Sequence, residues 1–183
     1  MDYVEALRIL EEADCLADQQ TITKAIARMA DEITAKIGKQ NPLVYCIMNG
    51  GLIFTGQLLP LLHFPLEVGY LHASRYGKDH IGNQLEWIVP PQTSLTGRTV
   101  LLLDDILDEG VTLKAITEAC QKKGARQVLT AVLVEKKHNR KVKADYHADF
   151  TGLQVEDRFV FGFGLDYDLV WRNAPGIYAV KGL

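Results

Sequence analysis

A chain of 183 residues, 48% apolar and 23% charged, is long enough to bury one sizeable core and has the balance of an ordinary globular protein. Its formal net charge of −3 argues against a nucleic-acid-binding surface, and no apolar run is long enough to span a membrane. The opening MDYVEALRILEEAD is acidic and amphipathic, unlike a signal peptide, and Cys15, Cys46 and Cys120 are widely spaced in apolar surroundings, as expected of reduced core thiols in a cytoplasmic protein.

Residues 3–17 and 21–37 both carry helical apolar spacing. Residues 43–48 read as a buried-type strand running into Asn49-Gly50-Gly51, and 52–62 as a helix. A strand over 66–72 follows. Residues 74–83 are polar and contain Gly77 and Gly82, the pattern of a mobile loop, and 85–89 is extended until Pro90 and Pro91 end it. A strand over 98–104, a helix over 111–123 and a strand over 127–134 continue the alternation, which predicts a central parallel sheet flanked by helices with right-handed crossovers. Residues 136–148 are charged and irregular. Beyond them the alternation breaks, which predicts a small cap built by the C-terminal part.

The stretch VLLLDDILDEGVT, residues 100–112, concentrates the chemistry. Its apolar run suits a strand buried on both faces, placing Asp104 and Asp105 at the carboxyl end, where open α/β sheets bind ligands. Adjacent carboxylates accept hydrogen bonds from a vicinal diol. The Gly110 turn, the Thr112 hydroxyl and the free amides of the helix that follows suit a phosphate. Asp108 stands between the two functions.

This segment resembles the phosphoribosyl-pyrophosphate (PRPP) motif of the type I phosphoribosyltransferases. The resemblance implies that Asp104 and Asp105 hold the ribose hydroxyls and that the loop Asp108, Glu109, Gly110, Val111 and Thr112 wraps the 5′-phosphate. Many members carry a hydroxyl residue where this chain has Glu109. A carboxylate facing a phosphate is repelled, so Glu109 is expected to point outward and offer its backbone N–H.

Three further segments extend the resemblance, which runs from about residue 43 to Arg172. Asn49, Gly50 and Gly51 match the family's pyrophosphate loop, where some members carry Lys in place of Asn49 and a peptide can be cis. In SRYGKDHIGN, Tyr76 matches a flexible lid and Arg75 departs from its usual Ser. DRFVFGFGLDYDLVWR, residues 157–172, is similar to the hypoxanthine-guanine members, the 6-oxopurine branch. That match implies that Phe159 stacks on the purine and that the Val160 backbone reads its edge. Asp166 binds a Mg²⁺ ion attached to pyrophosphate, and Arg172 grips pyrophosphate. Lys136 donates to the 6-oxo group, with Lys137 its alternative, and Arg158 lies on the same side. The five histidines show no ligand pairing.

The resemblance therefore implies a type I phosphoribosyltransferase fold, α/β, with a small C-terminal hood and a flexible lid loop. It forms a single domain over 1–183, with a core over about 20–135 and a hood from the N-terminal segment and about 136–183. The implied reaction is Mg²⁺-dependent transfer of phosphoribose from PRPP to a 6-oxopurine, with Asp108 as general base and Asp104, Asp105 and Asp166 as metal ligands, in a homodimer or homotetramer. The alternatives are a xanthine-preferring enzyme, or a non-catalytic regulatory protein of the same fold that binds RNA.

Overall fold

The computed structural model describes residues 1–75 and 85–182. In chain order it contains α1 (Tyr3–Glu12), β1 (Asp14–Ala17), α2 (Gln19–Ile37), β2 (Leu43–Met48), α3 (Gly51–Leu58), β3 (Glu67–Arg75), β4 (Leu85–Val89), β5 (Thr99–Leu107), α4 (Val111–Lys122), β6 (Gln127–Lys137), β7 (Phe150–Glu156), β8 (Val160–Phe161) and β9 (Ile177–Ala179). A 3-10 turn over Leu59–Leu61 prolongs α3.

Six strands form the main sheet in the order β4-β3-β2-β5-β6-β7, all neighbours parallel except the edge pair β3 and β4. The two-residue period of β5 sorts its run to opposite faces. Leu101 and Leu103 join the core under α2 and α3, with Ile26, Met29, Ile33, Phe54 and Leu58. Val100 and Leu102 join the core under α4, with Leu113, Ile116 and Cys120. Burial on both faces explains why the run lacks polar alternation.

From β2 the chain moves to β3 on one side, whereas from β5 it moves to β6 on the other. β2 and β5 are neighbours, so their carboxyl ends flank a topological switch point. Their pairing ends at Cys46 opposite Leu103, while β5 stays paired with β6 as far as Leu107 opposite Glu135. The edge of β5 that faces β2 is therefore free beyond Leu103, and a crevice opens at Asp104 and Asp105.

A second sheet, ordered β1-β9-β8, brings residues 14–17 against 177–179 and 160–161. It corrects the single helix expected over 3–17. Asp2 caps α1 by accepting the Glu5 N–H at 2.8 Å, the helix ends at Glu12, and the next residues pair as a strand. Cys15 is consequently exposed rather than in the core, while Cys46 and Cys120 are buried; all three are free. The segment expected to be irregular from residue 136 begins inside β6, which runs to Lys137, and β7 joins the main sheet beside it. The lid expected over 74–83 starts within β3, where Arg75 pairs with Leu85; Tyr76 lies outside the described residues.

Candidate active site

Asp104 and Asp105 lie inside β5, not after it, and both line a cavity of about 470 Å³. Asn49, Gly50, Asp108, Glu109, Gly110, Val111, Thr112, Asp166 and Arg172 line the same cavity. Two glycines make it possible. Gly50 presses so close to β5 that a Cβ there would stand 1.9 Å from Asp105 Oδ2. Gly110 has φ +80°, and a Cβ would meet the Tyr146 ring at 2.6 Å. Gly110 is also the N-cap of α4 and provides no side-chain bond, so the first-turn amides beside the cavity remain open to an anion. The Met48–Asn49 peptide is cis.

Burial and the neighbouring charge of Asp105 push the Asp104 carboxyl well above its usual range. Burial also raises Asp105, although the Asp104 hydrogen bond and the positive charge of Arg172 work against it. Arg172 brings positive charge to the pair from 3.9 Å, at Asp105 Oδ2, while its closest carboxylate contact is with Asp166 at 2.6 Å. Arg172 also donates to the Gly164 carbonyl at 2.6 Å, and Asp166 accepts the Leu169 N–H at 2.9 Å. Phe163, Asp168, Leu169 and Trp171 all have positive φ, so the loop bearing Asp166 and Arg172 holds costly backbone shapes.

A smaller cavity of about 190 Å³ adjoins the first through the shared Asp105, Asp108 and Asp166, and adds Lys136, Phe159, Val160 and Leu165. Phe159 is 45% exposed and makes an edge contact with Tyr167 at 5.2 Å between centroids. Asp108 sits where the cavities meet. Its Oδ2 accepts from Lys136 Nζ at 2.9 Å and its Oδ1 lies 2.7 Å from His138 Nε2. Burial pushes the Asp108 carboxyl up, but the hydrogen bonds of Lys136 and His138 and the Lys136 charge outweigh it and hold the group below its ordinary value.

The chain has the overall plan of proteins of known activity. The phosphoribosyl transferase domain model matches residues 12–168. The chain is 32% identical over 167 residues to the hypoxanthine-guanine phosphoribosyltransferase of Bacillus subtilis, covering 91% of this chain and 92% of that protein. It is 33% identical over 168 residues to the Aquifex aeolicus protein of the same name, covering 91% and 93%. Among solved structures, a hypoxanthine-guanine-xanthine phosphoribosyltransferase superposes with a TM-score of 0.84 at 29% identity, covering 93% of this chain and 99% of that one. A Staphylococcus aureus hypoxanthine phosphoribosyltransferase superposes with a TM-score of 0.87 at 27% identity, covering 99% and 96%. The chain belongs to the phosphoribosyltransferase family.

Of the residues singled out in the enzyme's sequence, most line one or both cavities, but some do not. Arg158 lines neither: its guanidinium pairs with Asp14 at 2.7 Å and donates to the Val180 carbonyl at 2.9 Å, tying the hood together. Gly51 starts α3 behind the cavity wall, against the Leu103 carbonyl. Asp104, Asp105 and Asp166 do not form one tight ligand set. Among the described residues, the acid and imidazole atoms that converge within 4.8 Å belong to Asp108, His138 and Asp157. That group is already neutralised by Lys136 and by Arg140, which grips Asp157 through both nitrogens.

His138, Arg140 and Asp157 were not legible as site residues. A signal existed for His138: in an extended segment residues two apart share a face, so Lys136 and His138 point the same way. Arg140 and Asp157 meet only through the fold. Among the described residues no helix is long and apolar enough to cross a membrane.

Proposed function

We propose that the enzyme transfers the 5-phosphoribosyl group of PRPP to N9 of hypoxanthine or guanine, giving IMP or GMP and pyrophosphate, in cytoplasmic purine salvage. The observation that carries this is the adjacency of the two cavities, which share Asp105, Ile106, Asp108 and Asp166: a carboxylate-and-amide pocket suited to a sugar phosphate lies beside a pocket bounded by a lysine and an aromatic ring.

In this reading Asp104 and Asp105 accept the ribose hydroxyls, and the loop from Asp108 to Thr112 with the N-terminus of α4 holds the 5′-phosphate. Asn49 and Gly50 present backbone to the pyrophosphate, and Arg172 pairs with it. Phe159 covers the purine, Val160 offers its backbone to the purine edge, and Lys136 donates to O6 while keeping its bond to Asp108. Bond breaking at C1 leaves positive charge on the ribose, as in glycosyl transfer generally, and N9 then attacks. Asp108 takes the purine proton at N7; its carboxylate is held ionised, with lone pairs left after Lys136 and His138 are served.

Asp104 and Asp105, with Asp166 on the lining of the same cavity, are the residues that would hold a Mg²⁺ ion: burial raises both carboxyls of the pair while Arg172 reaches it only from 3.9 Å, so further positive charge is favourable there. Bound there, Mg²⁺ would supply charge neutralisation for the pyrophosphate.

The same reading includes self-association. Leu52, Val68 and Tyr70 are exposed around an apolar groove beside α3, a surface suited to a second subunit in a homodimer or homotetramer.

Pyrophosphate release should be measured with PRPP, Mg²⁺ and each of hypoxanthine, guanine, xanthine and adenine. Hypoxanthine or guanine should turn over. Adenine presents a donor to the donor-only Lys136 and should be rejected by orders of magnitude. Turnover of adenine above the oxopurines would overturn the reading, as would the absence of turnover with every base.

A further inference from the structure

The group that fixes Asp108 has a bonding pattern that specifies its own chemistry. His138 follows β6 and its side chain is only 3% exposed, so its ring is held by contacts rather than by water. Its Nδ1 accepts the Arg140 backbone N–H at 3.0 Å. A ring nitrogen that accepts carries no hydrogen, so the ring hydrogen lies on Nε2, where it points to Asp108 Oδ1 at 2.7 Å. The chain Arg140 N–H to Nδ1, and Nε2–H to Asp108, makes the imidazole a directed donor.

We propose that His138 is a positioning residue, which as a neutral Nε2–H donor orients the Asp108 carboxylate between the sugar-phosphate and base cavities. The inference rests on the assignment of Asp108 as the base in the proposed reaction.

Position explains why a histidine suits this place. Lys136 already brings a full charge to Oδ2, at 2.9 Å, and the Arg140 guanidinium stands 3.8 Å from Oδ1 while engaged with Asp157. A further cation in direct contact would make Asp108 a poorer proton acceptor. A neutral donor fixes the second oxygen while lowering the carboxylate less than a further cation in contact would. Asp108 is 39% exposed and follows the last residue of β5, so without this bond its side chain has a rotor to lose in reaching the purine. The arrangement parallels the general rule that a catalytic group is oriented by a third one.

The test has two arms. In the wild-type protein, ¹⁵N-edited NMR of the histidine rings should show His138, assigned by its absence in H138Q, with hydrogen on Nε2 and none on Nδ1. The reverse tautomer overturns the proposal whether or not the protein is active. In the kinetic arm, wild-type turnover is established first, since its absence would count against the proposed reaction and not against His138. His138→Leu should then lower kcat by about 10- to 100-fold, the usual range for a lost hydrogen bond to a charged group, with KM for PRPP nearly unchanged. His138→Gln, which can offer an N–H from a similar distance, should recover most of that loss. Wild-type kcat in H138L overturns the proposal, as does an equal loss in both variants when their melting temperatures match that of the wild type. If H138L is too unstable to assay, the tautomer and the activity of H138Q decide.

Discussion

The floor of the site, from Asp104 to Thr112, comes from one uninterrupted segment, whereas its wall is gathered from β6, the loop after it and residues 157–172. The floor is shaped by backbone: β5 continues past the end of β2, and Gly50 and Gly110 admit neighbours that no Cβ would allow. The wall is shaped by charge: Lys136 meets Asp108, Arg140 meets Asp157, and Arg172 meets Asp166. Glu135, 3% exposed, braces the loop carrying His138 and Arg140 by accepting from Lys141, His147 and Thr151. The contrast teaches where each half is vulnerable. Added volume should damage the floor, and lost charge should damage the wall.

The largest expected effect lies where floor and wall meet. Asp108→Ala should lower kcat by about 10²–10⁴-fold while the Kd for PRPP, measured by calorimetry, stays within a few-fold. Unchanged turnover would remove Asp108 from the chemistry and break the junction on which the comparison rests.

Next comes the wall's brace. Glu135→Gln leaves the Lys141 ammonium, 5% exposed, without its carboxylate, and loss of one partner of a buried pair costs roughly 3–5 kcal/mol. Urea unfolding at neutral pH should show this. Burial raises the Glu135 carboxyl, but its bonds to Lys141, His147 and Thr151 outweigh that and hold it below 4.5. The unfolded state therefore binds the proton first as pH falls. This stabilisation is fully present above about pH 4.5, the unfolded value, and disappears as pH falls through the lower folded value. The acid limb of stability should be shallower in the Gln variant. An identical limb would mean that Glu135 does not brace the wall.

Against the floor, Gly50→Ala puts a methyl group on the Asp105 carboxylate and must displace the Gly50 loop or the strand. A loss of about 1–3 kcal/mol is the usual outcome of such overpacking, and kcat/KM should fall by more than ten-fold, about 1.4 kcal/mol in the transition state. A small polar change at the wall would not discriminate in this way, so full activity here would argue that the floor tolerates volume.

The smallest effect is expected at Arg158. Its pair with Asp14 is partly exposed, and Arg158→Ala should cost about 1 kcal/mol of stability or less with kcat nearly intact, because Arg158 lines neither cavity. A large loss of kcat with unchanged melting would restore Arg158 to the base pocket.

The floor was readable because its residues are consecutive. Apolar residues 100–103, two acids and a Gly-containing turn before a helix must fall together by the geometry of a strand and a helix start, whatever surrounds them. The wall was readable only in part. Phe159, Val160, Asp166 and Arg172 were singled out through their joint likeness to a family pattern; Arg158, singled out through the same likeness, lines neither cavity. The break of α1 at Glu12 had no clear local signal: residues 14–17 become a strand because β9, more than a hundred and fifty residues away, offers an edge to pair with.

Sequence alone therefore determined the alternation of elements, the buried double-faced strand and the acids and amides at its end, since these follow from periods of two and 3.6 residues and from the needs of helix termini. Only the tertiary structure decided that β2 and β5 are neighbours at a switch point, and that Asp108 is held by Lys136 and His138 with Arg140 and Asp157 behind them. The reason is physical: strand order and long-range ion pairs depend on which surfaces meet when the core closes, and no local pattern carries that information.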